Sequence, residues 1–153
     1  MVKDKELQVR AIENGTVIDH IPDNQLFKVI KVLGLQKFEN TITFGRGYVS
    51  GKNGKKAIVK ISDKFLADED ISKLAMVAPE AKINIIKGFE VVEKKHVIVP
   101  TEVRGIAKCM NPMCITNHED IPTRFAVVNK DKISLKCHYC EKITDNENIR
   151  IVE

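Results

Sequence analysis

Four cysteines, all confined to a short stretch late in the chain, constrain this sequence more than any other feature. They occur as Cys109-x4-Cys114 and, after 22 intervening residues, as Cys137-x2-Cys140, whereas the first 108 residues contain none. Short loops between paired cysteines direct two sulfurs at one metal, and zinc accepts four thiolates in a tetrahedron. The spacing therefore predicts one structural Zn2+ per chain, held by Cys109, Cys114, Cys137 and Cys140.

Other interpretations of these cysteines are a redox-active Cys-x-x-Cys pair or four inert thiols, but neither explains their confinement to one region. His118 or His138 could replace a cysteine as ligand, although four sulfurs already complete the shell. A catalytic zinc keeps one position open for water, and four thiolates leave none. We therefore expect a structural site, and we expect this small region to need its metal in order to fold.

The cysteine-free part of the chain combines strand and helix patterns. Alternating apolar residues predict strands at 7–11, 16–20, 41–44, 57–61, 82–87 and 89–94. Helices are predicted from Pro22 to Gly34 and from Asp68 to Pro79. Asn14-Gly15 is typical of a tight hairpin turn and predicts that the first two strands pair.

Short connections favour antiparallel pairing, so we expect an α+β fold. It would comprise an N-terminal antiparallel sheet with two helices on one face, a ferredoxin-like sandwich, plus a small all-β C-terminal zinc domain with strands at 104–108, 124–129, 133–137 and 148–152. Pro100 interrupts the strand ending at Val99, which predicts two domains, residues 1–99 and 100–153. Any signal between them is hypothesised to be a rigid-body shift across residues 97–104.

Charge and composition limit the classes of ligand. The net charge is +4, and residues 101–153 contain eight basic and eight acidic residues, so the positive excess lies in the first 100 residues, where an anion would bind. Six Phe, two Tyr and no Trp offer few stacking platforms for single-stranded nucleic acid. No apolar run approaches the roughly 20 residues that span a bilayer, and the first residues contain no signal-peptide core. These features predict a cytoplasmic protein without nucleic-acid or membrane partners.

No motif in the sequence predicts catalysis. There is no P-loop, no Gly-x-Ser-x-Gly elbow and no His-Glu-x-x-His. Asp19-His20 could be an acid/base pair, but a charged pair on a strand facing ligand or solvent is the simpler interpretation. His20, Lys60 and Lys94 each fall on a predicted strand, and lysines suit polyphosphates. Spacing alone does not say whether these side chains converge.

Both regions together resemble the regulatory chain of aspartate carbamoyltransferase. The resemblance begins with Leu-Gln-Val-Arg-Ala-Ile at 7–12 and Gly-Thr-Val-Ile-Asp-His-Ile-Pro at 15–22. It continues in Ala-Pro-Glu-Ala at 78–81, Asn84 and Glu-Val-Val at 90–92. It ends with Cys-x4-Cys-Ile-Thr-Asn at 109–117 and Leu-Lys-Cys-His-Tyr-Cys-Glu-Lys at 135–142, and so covers nearly the entire chain.

The resemblance implies a chain with no catalysis of its own. Its N-terminal domain would bind nucleoside triphosphates as allosteric effectors, with CTP inhibiting and ATP activating. Its zinc domain would hold the catalytic chain, and three regulatory homodimers would join two catalytic trimers. The whole enzyme would commit carbamoyl phosphate and aspartate to pyrimidine synthesis.

The resemblance also implies an effector site residue by residue. The backbone around Val9, Arg10, Ala11 and Ile12 would read the base edge, and Ile86, Phe89 and Val91 would complete the base pocket. The ribose would lie near Asp19 and Lys60, and the phosphates near His20 and Lys94. The remaining residues of the cleft would be Val17, Ile58 and Asn84.

Two rival interpretations can be stated from the residues alone. A zinc-ribbon nucleic-acid binder is compatible with four cysteines and a charge of +4, but nucleic-acid modules carry their basic residues on the reading surface, and residues 101–153 are neutral. A small nucleotide-using enzyme would need an acid/base site that the sequence does not display.

Overall fold

A five-stranded antiparallel sheet forms the N-terminal part of the computed structural model, which describes residues 11–51 and 54–152. Helix α1 (Leu26–Val32) connects the first two strands, and helix α2 (Asp68–Ala75) connects the third to the fourth. The strands are β1 (Gly15–Pro22), β2 (Ile42–Ser50), β3 (Gly54–Ser62), β4 (Lys82–Lys87) and β5 (Glu90–His96). The first four strands and the two helices follow the βαββαβ sequence of elements, β5 is added at one edge, and the order β2-β3-β1-β4-β5 confirms the predicted ferredoxin-like sandwich.

Period-two alternation in these strands decides which face of the sheet the helices cover. Ile18 of β1 is fully buried, and so are its cross-strand partners Val59 of β3 and Ile83 of β4. Leu26 of α1 and Leu74 of α2 belong to the same buried core. The alternate residues of each strand therefore lie on the opposite face, which the two helices leave open.

The predicted hairpin between residues 7–11 and 16–20 is wrong. Residues 1–10 lie outside the described part of the chain, but β1 already has a neighbour on each side. Gly15 pairs with Ser62 of β3 on one side and with Ile86 of β4 on the other. No edge of β1 is left for a third strand, so the Asn14-Gly15 dipeptide marks the entry into a central strand instead of a hairpin.

Gly15 is the position where the sheet most needs a glycine. Its φ is +141°, and a Cβ at this position would lie 2.0 Å from the carbonyl oxygen of Ile61. We expect Gly15→Ala to lower the free energy of unfolding by roughly 2–4 kcal/mol, measured by urea denaturation. Gly34→Ala is the matched control, because Gly34 has a positive φ of +63° but open space around it; its cost should be about 1 kcal/mol. Equal losses in the two variants would contradict the steric explanation.

The C-terminal part is a small all-β unit, as predicted. The elements are β6 (Glu102–Arg104), β7 (Ala107–Lys108), β8 (Arg124–Asn129), β9 (Ser134–Cys137), β10 (Ile143–Thr144) and β11 (Arg150–Ile151). A four-stranded sheet has the order β10-β9-β8-β6, and β7 pairs with β11 in a separate two-stranded sheet. The strand predicted at 104–108 is divided into β6 and β7, because Gly105 between them has a φ of +67°.

One continuous hydrophobic core joins the two parts. Val103, Phe125 and Ile133 of the C-terminal unit are at most 3% exposed and belong to the same buried cluster as Leu26 and Val77 of the N-terminal part. The helices α1 and α2 contain seven and eight residues, so none of the helices in the described ranges could cross a membrane. The predicted cytoplasmic location stays a prediction.

Candidate functional site

The four cysteines come together at one end of the C-terminal unit. Cys109 follows β7, Cys114 precedes a short 3-10 helix, Cys137 ends β9, and Cys140 lies in the turn that follows. Their sulfur atoms all lie within 4.8 Å of one another, and all four are free thiols. Among the described residues this is the one group of His, Cys, Asp or Glu side chains gathered tightly enough to hold a metal ion.

The spacing of the sulfurs fits zinc. Cys109 Sγ lies 3.7 Å from Cys140 Sγ, and Cys114 Sγ lies 3.7 Å from Cys137 Sγ. A tetrahedron with Zn–S bonds of about 2.3 Å has edges of about 3.8 Å. Each close pair joins one cysteine of the first loop to one of the second, so a single ion would tie the two loops together. The donor set fits a structural zinc ion with a closed shell.

Hydrogen bonds from neighbouring groups hold the ligand loops in shape. The Asn117 side chain donates to the carbonyl oxygens of Cys109 (3.0 Å) and Asn111 (2.7 Å). The Asn111 carbonyl accepts the Cys114 amide at 3.0 Å. On the second loop, the Glu141 amide donates to the Cys137 carbonyl at 2.9 Å. The loops are thus shaped by their own polar groups, and the metal supplies the remaining link between them.

The thiols differ in how readily they lose their protons. Burial raises the pKa of Cys109 to about 12 and also raises the pKa of Cys137. Burial acts in the same direction on Cys140, but hydrogen bonds from Asn111 and the Lys142 amide outweigh it and lower the pKa of Cys140 to about 7. Zinc must displace the protons of the buried thiols, so its binding releases protons to solvent.

The open face of the N-terminal sheet brings most of the expected effector residues together. One row of cross-strand partners runs from β2 to β5 through Thr43, Lys60, Val17, Asn84 and Lys94. Cross-strand partners point to the same face, so four of the residues implied by the family resemblance form a single line. Lys60 and Lys94 lie three strand spacings apart, about 14 Å.

The next row on the same face contains a lysine that the sequence analysis missed. Lys82 pairs with Asp19 of β1 on one side and with His96 of β5 on the other. Lys82 lies two residues before Asn84 on β4, and residues two apart on a strand share a face. This spacing could have placed Lys82 beside Asn84 from the sequence alone. The expected residue Ile58 lies on this face too, next to Lys60 along β3 and opposite the bulge in β1 that contains Asp19.

His20 interrupts β1 with a positive φ of +58°, which is rare for a residue with a side chain. Its backbone amide donates to Asp19 Oδ1 at 2.7 Å. Its Nδ1 atom is buried and lies 3.4 Å from Asp19 Oδ2, but without hydrogen-bond geometry to any described group. The other oxygen of Asp19 pairs with Lys56 Nζ at 2.9 Å.

A cavity of about 290 Å³ opens beside His20. Three lysines and one carboxylate, Glu80, line it, so it is cationic, although Asp19 pairs with one of the three lysines, Lys56. Arg46 does not contribute, because its guanidinium pairs with Asp23 at 2.7 Å near the start of α1. The full lining is His20, Ile21, Pro22, Lys55, Lys56, Glu80 and Lys82.

The other end of the open face is apolar. Ile86 pairs with Val91, and Ile86 is 7% exposed whereas Val91 is 48% exposed. Phe89 follows in the β4–β5 turn, 63% exposed and with a φ of +66°. Its amide donates to the Glu13 carbonyl at 2.9 Å, which brings the segment containing Ala11 and Ile12 to this end of the sheet. Val9 and Arg10 lie outside the described residues.

Lys60 is electrostatically distinct from a surface lysine. Burial lowers its pKa from the ordinary value of 10.5, and the nearby negative charge of Asp19 offsets part of that effect. The charged ammonium is therefore less well solvated here than in water, and a bound anion would compensate it.

Comparison with known protein families matches two consecutive models across the chain. Residues 7–98 match the aspartate carbamoyltransferase regulatory chain, allosteric domain. Residues 101–150 match the aspartate carbamoyltransferase regulatory chain, metal binding domain. Both are units of a regulatory chain, one allosteric and one metal-binding, and neither is catalytic.

Individual relatives give the same result. The aspartate carbamoyltransferase regulatory chain of Phocaeicola vulgatus is 54% identical over 146 residues, which cover 95% of this chain and 94% of the relative. That of Parabacteroides distasonis is 54% identical over 149 residues, covering 97% of each. An archaeal regulatory chain, from Pyrococcus horikoshii, is 48% identical over 146 residues, covering 94% of this chain and 96% of the relative.

Proposed function

Because this chain belongs to the family of aspartate carbamoyltransferase regulatory chains, we propose that the open face of its sheet binds the nucleoside triphosphates CTP and ATP as allosteric effectors. The observation that carries the proposal is the change of polarity along this face. Its apolar end, with Ile86 and Val91, suits a nucleobase, and its cationic end, with Lys94 and Lys82, suits a polyphosphate. A nucleotide has the same two ends.

The proposed contacts follow the family pattern. The backbone of residues 9–12 reads the base edge, and the base lies against Ile86, Phe89 and Val91. Asp19 and Lys60 contact the ribose, whereas His20 and Lys94 contact the phosphates. Val17, Ile58 and Asn84 form the floor between the two ends, consistent with their common face.

Titration of the zinc-loaded chain with CTP, ATP and cytidine tests this proposal. We expect saturable binding of both triphosphates, weakened by salt because ion pairs contribute to it. Cytidine should bind at least about 100-fold more weakly, since it loses several charge-assisted hydrogen bonds. Equal affinity for cytidine and CTP, or no saturable binding of either triphosphate, would contradict the assignment of the cationic end.

The regulatory role also requires a surface for the catalytic chain, and we assign it to the loops around the cysteines. Met113 is 80% exposed and Ile143 61%, and Ile115 and Tyr139 are each 44% exposed. Met113 and Tyr139 belong to the loops that the zinc ion would fix, and Ile115 and Ile143 lie within three residues of a cysteine, so the metal would shape the docking surface. In this proposal the zinc domain, residues 100–153, holds the catalytic trimers, and the domain of residues 1–99 binds the effectors.

A second copy of the chain is proposed to dock along β2. The other edge strand, β5, carries four charges in seven residues, a composition that discourages edge-to-edge pairing. β2 instead exposes Val49 (86%) and Phe44 (48%), and Phe44 packs edge-on against the exposed Phe27 of α1 at 6.3 Å between ring centroids. Pairing of two β2 edges would continue the sheet through the dimer and cover these aromatic rings.

Val49→Glu should weaken this dimer by at least about tenfold, because it puts a charge at the centre of an apolar contact. Sedimentation equilibrium over a range of chain concentrations measures the effect. Val92→Glu on β5 is the matched control and should leave the dimer intact, since that edge is not in the proposed interface. If Val92→Glu weakened the dimer and Val49→Glu did not, the interface would lie on β5, and the proposed β2 interface would be contradicted.

A further inference from the structure

Two cavities share residues, and one of them lies at the junction of the domains. The cationic cavity beside His20 has Pro22 and Glu80 in its wall. A smaller cavity of about 150 Å³ has the same two residues on one side and Asp131 and Lys132 of the C-terminal unit on the other. The Glu80 side chain therefore stands between the proposed phosphate end of the effector site and the zinc domain.

Glu80 lies in a turn whose backbone is held by hydrogen bonds on both sides. The Ala81 amide donates to the Ala78 carbonyl at 3.1 Å, and both alanines are at most 2% exposed. The Gln25 side chain donates to the Val77 carbonyl at 3.1 Å and ties the start of α1 to the same corner. The backbone is held at both ends, whereas the Glu80 carboxylate makes no salt bridge with any residue in 11–51 or 54–152. Its side chain can change position without unfolding the turn.

On the zinc-domain side of the junction, the loop between β8 and β9 also has a backbone fixed by hydrogen bonds. Asn129 Oδ1 accepts the amides of Asp131 (3.0 Å) and Lys132 (3.1 Å), which fixes the loop between β8 and β9. The next residue, Ile133, is 1% exposed and anchors the loop in the shared core. Among the residues that the structure describes, the Lys132 ammonium has one ion-pair contact, a long one of 3.9 Å with the exposed Glu147. It is thus a cation able to pair with a second carboxylate, although Asp131 lies in the wall of the same cavity.

We propose that Glu80 couples the effector site to the zinc domain by moving between these two cavities. Without a ligand, Glu80 lies in the wall of the cavity beside His20 and lowers the positive potential of its lysines without forming an ion pair with them. A polyphosphate in that cavity brings several negative charges, repels Glu80 and drives it toward Lys132 across the junction. This inference rests on the proposed binding of nucleoside triphosphates and adds the route by which their charge reaches the C-terminal unit.

The test compares the full-length, zinc-loaded chain with its Glu80→Gln variant. Titration with CTP and with inorganic tripolyphosphate measures affinity, and hydrogen exchange followed by mass spectrometry measures the response of residues 129–133. Glu80→Gln should bind both ligands about three- to fivefold more tightly, because a like charge is removed. At saturating CTP it should nevertheless lose the change in exchange that CTP causes at residues 129–133 in the unsubstituted chain.

Two further variants separate the coupling from general effects. Glu93→Gln removes the same charge from the neighbouring strand β5 but on the other face of the sheet, since Glu93 pairs with Ile85; it should behave like the unsubstituted chain. Lys132→Gln should lose the response and weaken CTP binding by less than about fivefold, because the displaced Glu80 carboxylate loses the cation with which it pairs. An undiminished response in saturated Glu80→Gln or Lys132→Gln would overturn the coupling role while leaving nucleotide binding intact. A flat CTP titration of the unsubstituted chain would overturn both proposals.

Discussion

Replacing Cys137 by serine is expected to abolish zinc binding and to unfold the C-terminal unit. Binding of zinc to four thiolates contributes on the order of 10–16 kcal/mol, which is comparable to the whole stability of a typical domain. The large buried side chains of this unit are few, chiefly Phe125, Ile133 and Leu135. Without the ion, the loop of Cys109 and Cys114 has no strong tie to the loop of Cys137.

Elemental analysis of zinc and hydrogen exchange of residues 101–152 measure this effect, and co-elution with the catalytic chain of the same organism measures its consequence. We expect one zinc per unsubstituted chain, none in Cys137→Ser, and loss of co-elution together with the metal. His138→Ala is the matched control, because His138 lies in the same loop and packs on Tyr139 at 5.1 Å between ring centroids instead of joining the cysteines. Retention of zinc and of folded structure by Cys137→Ser would contradict a four-thiolate structural site.

Replacing Lys60 and Lys94 by alanine is expected to give the second largest effect. Each lysine would make charge-assisted hydrogen bonds to the nucleotide, worth roughly 1.5–3 kcal/mol, so each single variant should bind CTP about tenfold more weakly or worse. The double variant should show no measurable binding in a calorimetric titration. The fold should survive, since both ammonium groups stand on the open face and outside the core.

Lys95→Ala provides the control for these variants. Lys95 is the neighbour of Lys94 on β5 but pairs with Ile83, so its side chain lies on the other face of the sheet. Its loss should leave the affinity for CTP unchanged, and an equal loss for Lys94→Ala and Lys95→Ala would contradict a site on the open face. Because burial lowers the pKa of Lys60, the affinity should also fall with rising pH, beginning below the ordinary lysine value of 10.5.

Local sequence patterns predicted a helix or strand correctly where the element's own residues show a clear apolar period. Both helices, and strands such as β4 (Lys82–Lys87) and β8 (Arg124–Asn129), fall where their apolar periods place them. The hairpin at Asn14-Gly15 is wrong because the turn dipeptide is a local signal, whereas the partners of β1 come from residues more than 30 positions away. The two-residue strand β10 (Ile143–Thr144) is too short to produce a periodic pattern.

The metal site and the proposed effector site also differ in how far the sequence could predict them. Cysteine spacing predicted the metal cluster, because each pair of ligands is local and zinc supplies the rest of the geometry. On the proposed effector face, the row of Lys60, Val17, Asn84 and Lys94 depends on the register of four strands, so the residues alone could not predict it. Family resemblance supplied those positions but not Lys82. The positive φ at His20, which interrupts β1, has no signature in the sequence.

The continuous core has a further consequence for how a signal could cross the chain. A hinge at Pro100 would require the two domains to separate, and that would expose Val103, Phe125 and Ile133 to water. Sliding of one packed surface over the other keeps those side chains buried, so any relative movement of the domains should be a shear of small amplitude. Thermodynamic reciprocity then applies to the metal as well. If one arrangement holds zinc more tightly than the other, an effector that favours this arrangement must raise the affinity for zinc, and zinc must raise the affinity for the effector by the same factor.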